Sequence, residues 1–354
     1  MSRPLRSALT IAACCAALAV TGCATTDGDR PAAGPKPRPA ATPSAPPSTS
    51  SASPSTPVPP PRGAVTPVEV EMTAFAPVAM VGSTVYRDGT RVDTGIDDVA
   101  TYVNLQGALL VATAPGRLRL WRDDRVRAAG RFCPEGGIRI FTDRTSRYAA
   151  VLDSCAGAGP RIRVYDSATG RYLLERPTTT EGSTHFFLDT DALYLATDER
   201  LVRVDLATGA QRRIAVRDPG ALEDVVAGHL VLFQPGGARL VPVDRDAGGV
   251  DGRLTLLADV VSPGLHWGVA LEQGLVVDNS TRREISPLPL PGVRRVSYHP
   301  YGWVGPDTIS FESDPARHHH VIHSCQVAEG TCEQVVDAPT SGLVPVGGWT
   351  PFAD

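Results

Sequence analysis

Residues 161–170 read RIRVYDSATG, and residues 200–209 read RLVRVDLATG. Each alternates β-branched and polar residues and runs into Asp-x-Ala-Thr-Gly. Such alternation marks a half-buried strand. The turn that follows has its own chemistry: Asp bonds the backbone two residues on, and Gly supplies a positive φ. Asp166 and Asp205 are therefore turn formers rather than catalytic acids. They stand 39 residues apart, and another 39 leads to Asp244 in ARLVPVDRDAGG.

Weaker copies lie on both sides. Upstream are STVYRDG with Asp88 and RLRLWRDD with Asp123; downstream are GLVVDNS with Asp278 and VIHSCQVAEGTC around Cys325. The seven positions are spaced 35, 43, 39, 39, 34 and 47. A period near 40 with several short strands per unit predicts a propeller rather than a helical solenoid. The fourth unit divides into STHFFLDTD as inner strand, then ALYLATD, RLVRVDL and AQRRIAV as outer strand. The third divides likewise into GIRIFTD, RYAAVLD, RIRVYDS and RYLLERP. The expected fold is all-β: a single β-propeller of about seven four-stranded blades over residues 65–354. Ring closure is expected between a strand at 65–75 and the stretch 343–349.

This pattern resembles the seven-bladed propellers of the WD-repeat, YVTN and quinoprotein-like superfamilies found on bacterial surface lipoproteins. The chain holds a Gly-His dipeptide at Gly228-His229 and no Trp-Asp dipeptide. Quinone-dependent relatives carry a vicinal disulfide, whereas the only adjacent cysteines here, Cys14 and Cys15, lie in the first 22 residues. No cofactor is expected.

The N-terminus reads as an address. MSRPLRSALTIAACCAALAVTGC places Arg3 and Arg6 before an apolar run from Ala8 to Val20. That run is too short for a membrane span, which needs roughly 20 apolar residues. It reads as a signal peptide over residues 1–22. Val20-Thr21-Gly22-Cys23 resembles a bacterial lipobox, which implies a diacylated Cys23, palmitate included, at the mature N-terminus. Residues 23–64 follow as a linker rich in Pro, Ser and Ala with almost no large apolar side chain. Such a stretch cannot offset the entropy of ordering and is expected to be a disordered, semi-stiff tether. At about 3.1 Å per residue it reaches at most ~120 Å. The expected location is the extracytoplasmic face of the cell membrane, held by lipid.

The chain carries a formal net charge of −4. Removal of Arg3 and Arg6 with the signal takes it near −6. Its cations are almost all arginine, Lys36 being the one lysine. A net negative domain without a basic block argues against nucleic acid. Four cysteines remain beyond the linker: Cys133, Cys155, Cys325 and Cys332. An even number in an oxidising compartment favours two disulfides, and four cysteines permit three pairings. The pairing chosen joins sequence neighbours, Cys133 with Cys155 and Cys325 with Cys332. The blade map supports it. Cys133 falls between the outer strand of blade two and the inner strand of blade three, and Cys155 between the second and third strands of blade three. Both loop types emerge on one face. Cys325 and Cys332 flank the last hairpin.

No catalytic residue stands out. The acid pairs Asp97-Asp98 and Asp123-Asp124 are badly placed for glycoside hydrolysis, because neighbours on a strand point to opposite faces. Gly-x-Ser-x-Gly, Walker and His-Glu-x-x-His motifs are absent from the sequence. The candidate binding residues are aromatic: Tyr298, His299, Tyr301 and Trp303, with His185, His266 and Trp267. Such residues either line the central channel of a propeller or fill the wedges between blades. His318 and His320 share one face of a strand and make a weak start for a metal site, with Glu312 and Asp314 nearby; no metal is expected. The function these residues suggest is non-catalytic: a monomeric binding or scaffold module for a protein or cell-envelope component. The alternative is an envelope-glycan lyase or hydrolase with its site in the central channel.

Overall fold

The computed structural model describes residues 64–350, except 134–136, 156–157, 179–184, 198, 217–220, 235–236, 245–248, 251–253, 256–259, 271–274, 289–299 and 317–318. The expected signal peptide, Cys23 and the expected linker up to residue 63 therefore lie outside the described residues, as do Tyr298, His299 and His318. What is described is all-β, with seven antiparallel sheets arranged in chain order.

The repeat read from the sequence matches the sheets position for position. Blade four is His185–Leu188, Ala192–Ala196, Leu201–Asp205 and Gln211–Ile214, from inner to outer. Blade three is Ile138–Thr142, Tyr148–Cys155, Gly159–Asp166 and Arg171–Pro177. Each of Asp88, Asp123, Asp166, Asp205, Asp244 and Asp278 sits at the turn between third and outer strands of its own blade. The turn chemistry is as expected. Asp166 accepts from Ala168 N and Thr169 Oγ1 at 2.9 Å, and Asp205 accepts from Thr208 N and Oγ1 at 2.8 Å. Gly170 and Gly209 both take φ of 69° and donate back to the carbonyls of Asp166 and Asp205.

Ring closure differs from the expectation. Residues 65–75 form no strand; Val65, Val68 and Phe75 each donate a single backbone bond, to Asn279, Gly264 and Val304 of blades six and seven. Pro67 and Pro77 break any ladder there, since proline has no N–H to donate. The C-terminal stretch makes the closure, but with a different partner. Blade one supplies only three strands, Ala79–Val81, Thr84–Arg87 and Thr90–Asp93. Its innermost position is filled from the other end of the chain. Leu343 bridges Val81 antiparallel, and Val344 N donates to Met80 O at 2.9 Å. The chain then crosses blade two, where Gly347 N donates to Tyr102 O at 2.7 Å. Finally Gly348–Thr350 pairs with Ile138–Thr142 as a fifth strand of blade three. A ring closed this way leaves only short protected edges.

The core is partitioned as a propeller requires. Seven apolar clusters occupy the seven interfaces between successive blades. The blade one–blade two cluster includes Val344, and the blade seven–blade one cluster packs Leu343. The turns after the inner strands hook neighbouring blades together as well. Asp189 of blade four accepts from Ala227 N and Gly228 N of blade five, and Gln106 of blade two donates to Thr145 O of blade three. All seven clusters and both disulfides lie inside one compact unit, Val58–Asp354. That unit carries its own core and its own closure, which is what independent folding requires.

Both cysteine pairs are bonded as the spacing suggested, with Cα–Cα distances of 5.1 Å for Cys133–Cys155 and 4.1 Å for Cys325–Cys332. Cys325 and Cys332 face each other directly across the last hairpin. There the disulfide stands beside a glycine turn in which Gly330 N bonds Gln326 O, without the Asp of the other blades.

Candidate functional site: the central cavity

Inner strands line the axis of a propeller, so charged residues on them point to a cavity rather than to a wedge. In Ile138–Thr142, Ile138 and Ile140 are fully buried, while the alternating Arg139 and Phe141 are only partly buried. Arg139 and Phe141 line a cavity of about 410 Å³ together with residues from the inner strands of blades two, four, five and seven. Arg139 lies over the Phe141 ring at 5.4 Å. Phe187 of blade four and Glu223 and Asp224 of blade five complete its polar and aromatic wall.

Two neighbours on one strand ordinarily face opposite ways. Glu223 and Asp224 both reach the cavity because the register of blade five slips between Leu222 and Asp224, a bulge that re-aims side chains. Arg144, from the first turn of blade three, donates through Nε to Asp224 Oδ2 at 2.5 Å. This ion pair ties blade three to blade five past blade four and occupies the Asp224 carboxylate. Glu223 is exposed and forms no ion pair among the described residues.

Asp143 borders the same cavity but has a structural role. Its carboxylate accepts from Thr145 N, Thr145 Oγ1 and Tyr148 N, which shapes the first turn of blade three. Burial pushes its pKa up to about 6, against the lowering by those three donors. Burial also raises Asp189, although the backbone donors of blade five oppose it.

The aromatic candidates separate into two groups. Trp303 borders the cavity, but its side chain is buried in the blade six–blade seven cluster beside Trp267. Its Nε1 has no hydrogen-bond partner among the described residues. Trp267 donates through Nε1 to Asp307 Oδ1 at 2.5 Å, and His266 stacks on it at 4.2 Å. His185 is exposed and stacks on the cavity residue Phe187 at 6.5 Å. Tyr301 lies within the inner strand of blade seven, Pro300–Gly305. The structure thus sets Trp303 at the border of the channel and, through Phe187, His185 near it, and places His266 in the first turn of blade six and Trp267 at the start of the strand that follows.

The histidine run of blade seven holds no converging set among the described residues. His320 is buried and pairs with Glu312 Oε1 at 2.8 Å, whereas His319 is exposed and pairs with Asp337 at 2.8 Å. His323 is buried, and desolvation lowers its pKa. Among the described residues one trio has metal-type atoms within reach of one another: Cys133, Asp153 and Cys155. Both of its sulfurs are spent on the disulfide.

Sequence reasoning missed Arg139, Arg144, Glu223 and Asp224. For Arg139 a signal was present in GIRIFTD, a charge within a strand assigned the innermost position; Arg144, Glu223 and Asp224 left none of that kind.

No family model matches the chain, and no curated protein matches it. Solved propellers do. A Kluyveromyces lactis Hsv2 variant with loop 6CD replaced by a Gly-Ser linker is 12% identical, covers 66% of this chain and 79% of its own, and gives a TM-score of 0.42. TolB from Acinetobacter baumannii is 13% identical over 67% of this chain and 66% of its own, with a TM-score of 0.39. The Cps50 (Swd1) β-propeller domain of Myceliophteria thermophila is 13% identical over 69% and 88%, with a TM-score of 0.40. The blade count rests on the seven sheets and their closure, not on these likenesses. These likenesses concern the fold alone, and fold does not imply function.

Proposed function

We propose that this chain is a lipoprotein anchored at the extracytoplasmic face of a cell membrane, whose propeller binds a protein or cell-envelope component without catalysis. The carrying observation is the order of parts along the chain. A lipobox-like Val-Thr-Gly-Cys23 precedes forty residues rich in Pro, Ser and Ala, and these precede a disulfide-stapled ring. Disulfides persist where thiols are oxidised, so both staples agree with export. Two acyl chains give stable anchoring where a single one does not.

The channel supports binding over chemistry: its one cross-blade carboxylate, Asp224, is neutralised by Arg144. The glycan lyase or hydrolase reading draws its support from Glu223, the acid beside it that pairs with no described residue. Release of glycan fragments by the purified protein would favour that reading.

The anchor is tested by changing Cys23 to Ser in the full chain. Incorporation of labelled palmitate should be lost, and the protein should leave the membrane fraction in a high-salt wash. Retention through that wash, or unchanged labelling, would overturn the lipid anchor.

A further inference from the structure

The outer strands of blades one to four and of blade seven expose side chains to solvent, and their charges are distributed unevenly around the ring. The outer strands of blades one to four are TRVD, RVRAAGR, RYLLERP and QRRI. Together they carry eight arginines against two acids, Asp93 and Glu175. Both acids are already engaged: Glu175 pairs with Arg161, and Asp93 accepts from Gly95 N. Asp124, in the adjoining turn of blade two, pairs with Arg87. Six of the rim arginines, Arg91, Arg125, Arg127, Arg131, Arg171 and Arg213, are exposed, and none forms an ion pair with a described residue. The outer strand of blade seven is the opposite. TCEQVVDAP holds no Lys or Arg and exposes Glu333 and Asp337.

Charged outer strands protect sheet edges from pairing with other chains, and either sign serves that purpose. Edge protection explains why charge is present on both rims, but not why the signs are segregated. A cationic arc with six exposed arginines that pair with no described residue, on a chain of net charge −4, is instead a complement for an anionic surface.

We propose that this arginine rim, through its middle on blades two and three, docks on an anionic phospholipid bilayer. This rests on the anchoring reading above only for the choice of a bilayer as occupant. The tether makes the contact feasible. A flexible coil of that length would span roughly 35 Å, and a semi-stiff, Pro-rich one spans more, enough for a blade rim to turn toward the surface that holds Cys23. Several weak arginine–headgroup attractions then act within one molecule, at high effective concentration. The acidic rim of blade seven is repelled by the same surface, so the ring is oriented as well as held.

The test uses the domain 58–354, which lacks Cys23, so its outcome is independent of lipidation. It is sedimented with vesicles of mixed phosphatidylglycerol and phosphatidylcholine, and with phosphatidylcholine alone. Binding should require the anionic lipid and fall as salt rises. The triple variant Arg125→Glu/Arg127→Glu/Arg131→Glu should bind at least about tenfold more weakly, while Glu333→Gln/Asp337→Asn binds at least as well as the wild type. The three arginines project from an exposed outer strand, and circular dichroism checks that the variant is folded. Equal binding to both vesicle types, or full binding by the folded triple variant, overturns the proposal. Retention on polyglutamate without vesicle binding overturns it in favour of an acidic protein partner. If the domain binds vesicles but Cys23→Ser leaves palmitate labelling unchanged, the anchor fails and the rim stands; the reverse pair of results separates them the other way.

Discussion

Blade three and blade one occupy equivalent positions in the ring and are held by different means. Blade three has five strands, four of them five to eight residues long, plus a disulfide and a buried ion cluster around Asp153. Blade one has three strands of three or four residues, and its innermost place is filled by Leu343 and Val344. A propeller is quasi-repetitive, but its stability need not be shared evenly. Blade three carries covalent and electrostatic reinforcement within its own segment of chain. Blade one depends on a contact between residues more than 250 positions apart.

The sharpest way to break that asymmetry is to remove the closing segment. Truncation after Thr340 takes away Leu343 and Val344, and with them apolar contacts in the clusters on both sides of blade one. It also frees the inner edges of blades one and three. The expected result is loss of the cooperative thermal transition, with amide protection lost first over Ala79–Asp93. If blade one exchanged no faster than blade four in the truncated protein, the closure described above would not be what holds it.

The same asymmetry governs what was legible in the sequence. Blades three and four were readable strand by strand because Asp-x-Ala-Thr-Gly recurs there at a constant interval and each strand alternates cleanly. Closure was not readable. VTPVEVEMTAF alternates as a strand would, whereas the segment that enters the ring, GLVPVGGWT, is rich in Gly and Pro. Gly347 takes φ of 61° where a Cβ would lie 2.9 Å from Ile140 O, so the glycine is there for close passage across blades two and three. Local pattern reports local structure; a contact between chain ends leaves no periodic trace. The cysteine pairs were readable because each is local to one or two blades. The blade five part of the cavity wall was hidden because Glu223 and Asp224 share it through a bulge, which alternation does not foresee.

Within blade three, Asp153 is the next point of attack. It is fully buried and accepts from Arg161 Nε, Arg161 Nη2, Arg163 Nη2 and Cys133 N. It therefore anchors the disulfide loop as well as two guanidinium groups. Asp153→Ala leaves the buried Arg163 without its carboxylate, a change that costs about 3–5 kcal/mol when one member of a buried pair is removed. Denaturant unfolding should show it as a lower midpoint. A loss below about 1 kcal/mol would mean that blade three is held by its disulfide and strand pairing alone.

The smallest effect expected is in pH dependence, and it comes from the opposite end of blade three. The folded pKa of Asp143, about 6, lies above its ordinary value of 3.8. A group raised in this way favours folding most when protonated. Its contribution is complete below 3.8 and is lost as the pH rises through 6. Most other shifted carboxylates, such as the turn formers Asp205 and Asp278, are lowered and act in the opposite sense, so the wild-type profile alone hides the effect. Asp143→Asn isolates it. The stability difference between wild type and variant should change by about 2–3 kcal/mol between pH 4 and pH 6.5, with the wild type losing ground as the pH rises. Three donors remain on Asp143 across that range, and they are the reason the ionised carboxylate is tolerated at all. A difference that stays constant with pH would show that these donors cancel the cost of burial, and that the first turn of blade three is insensitive to charge.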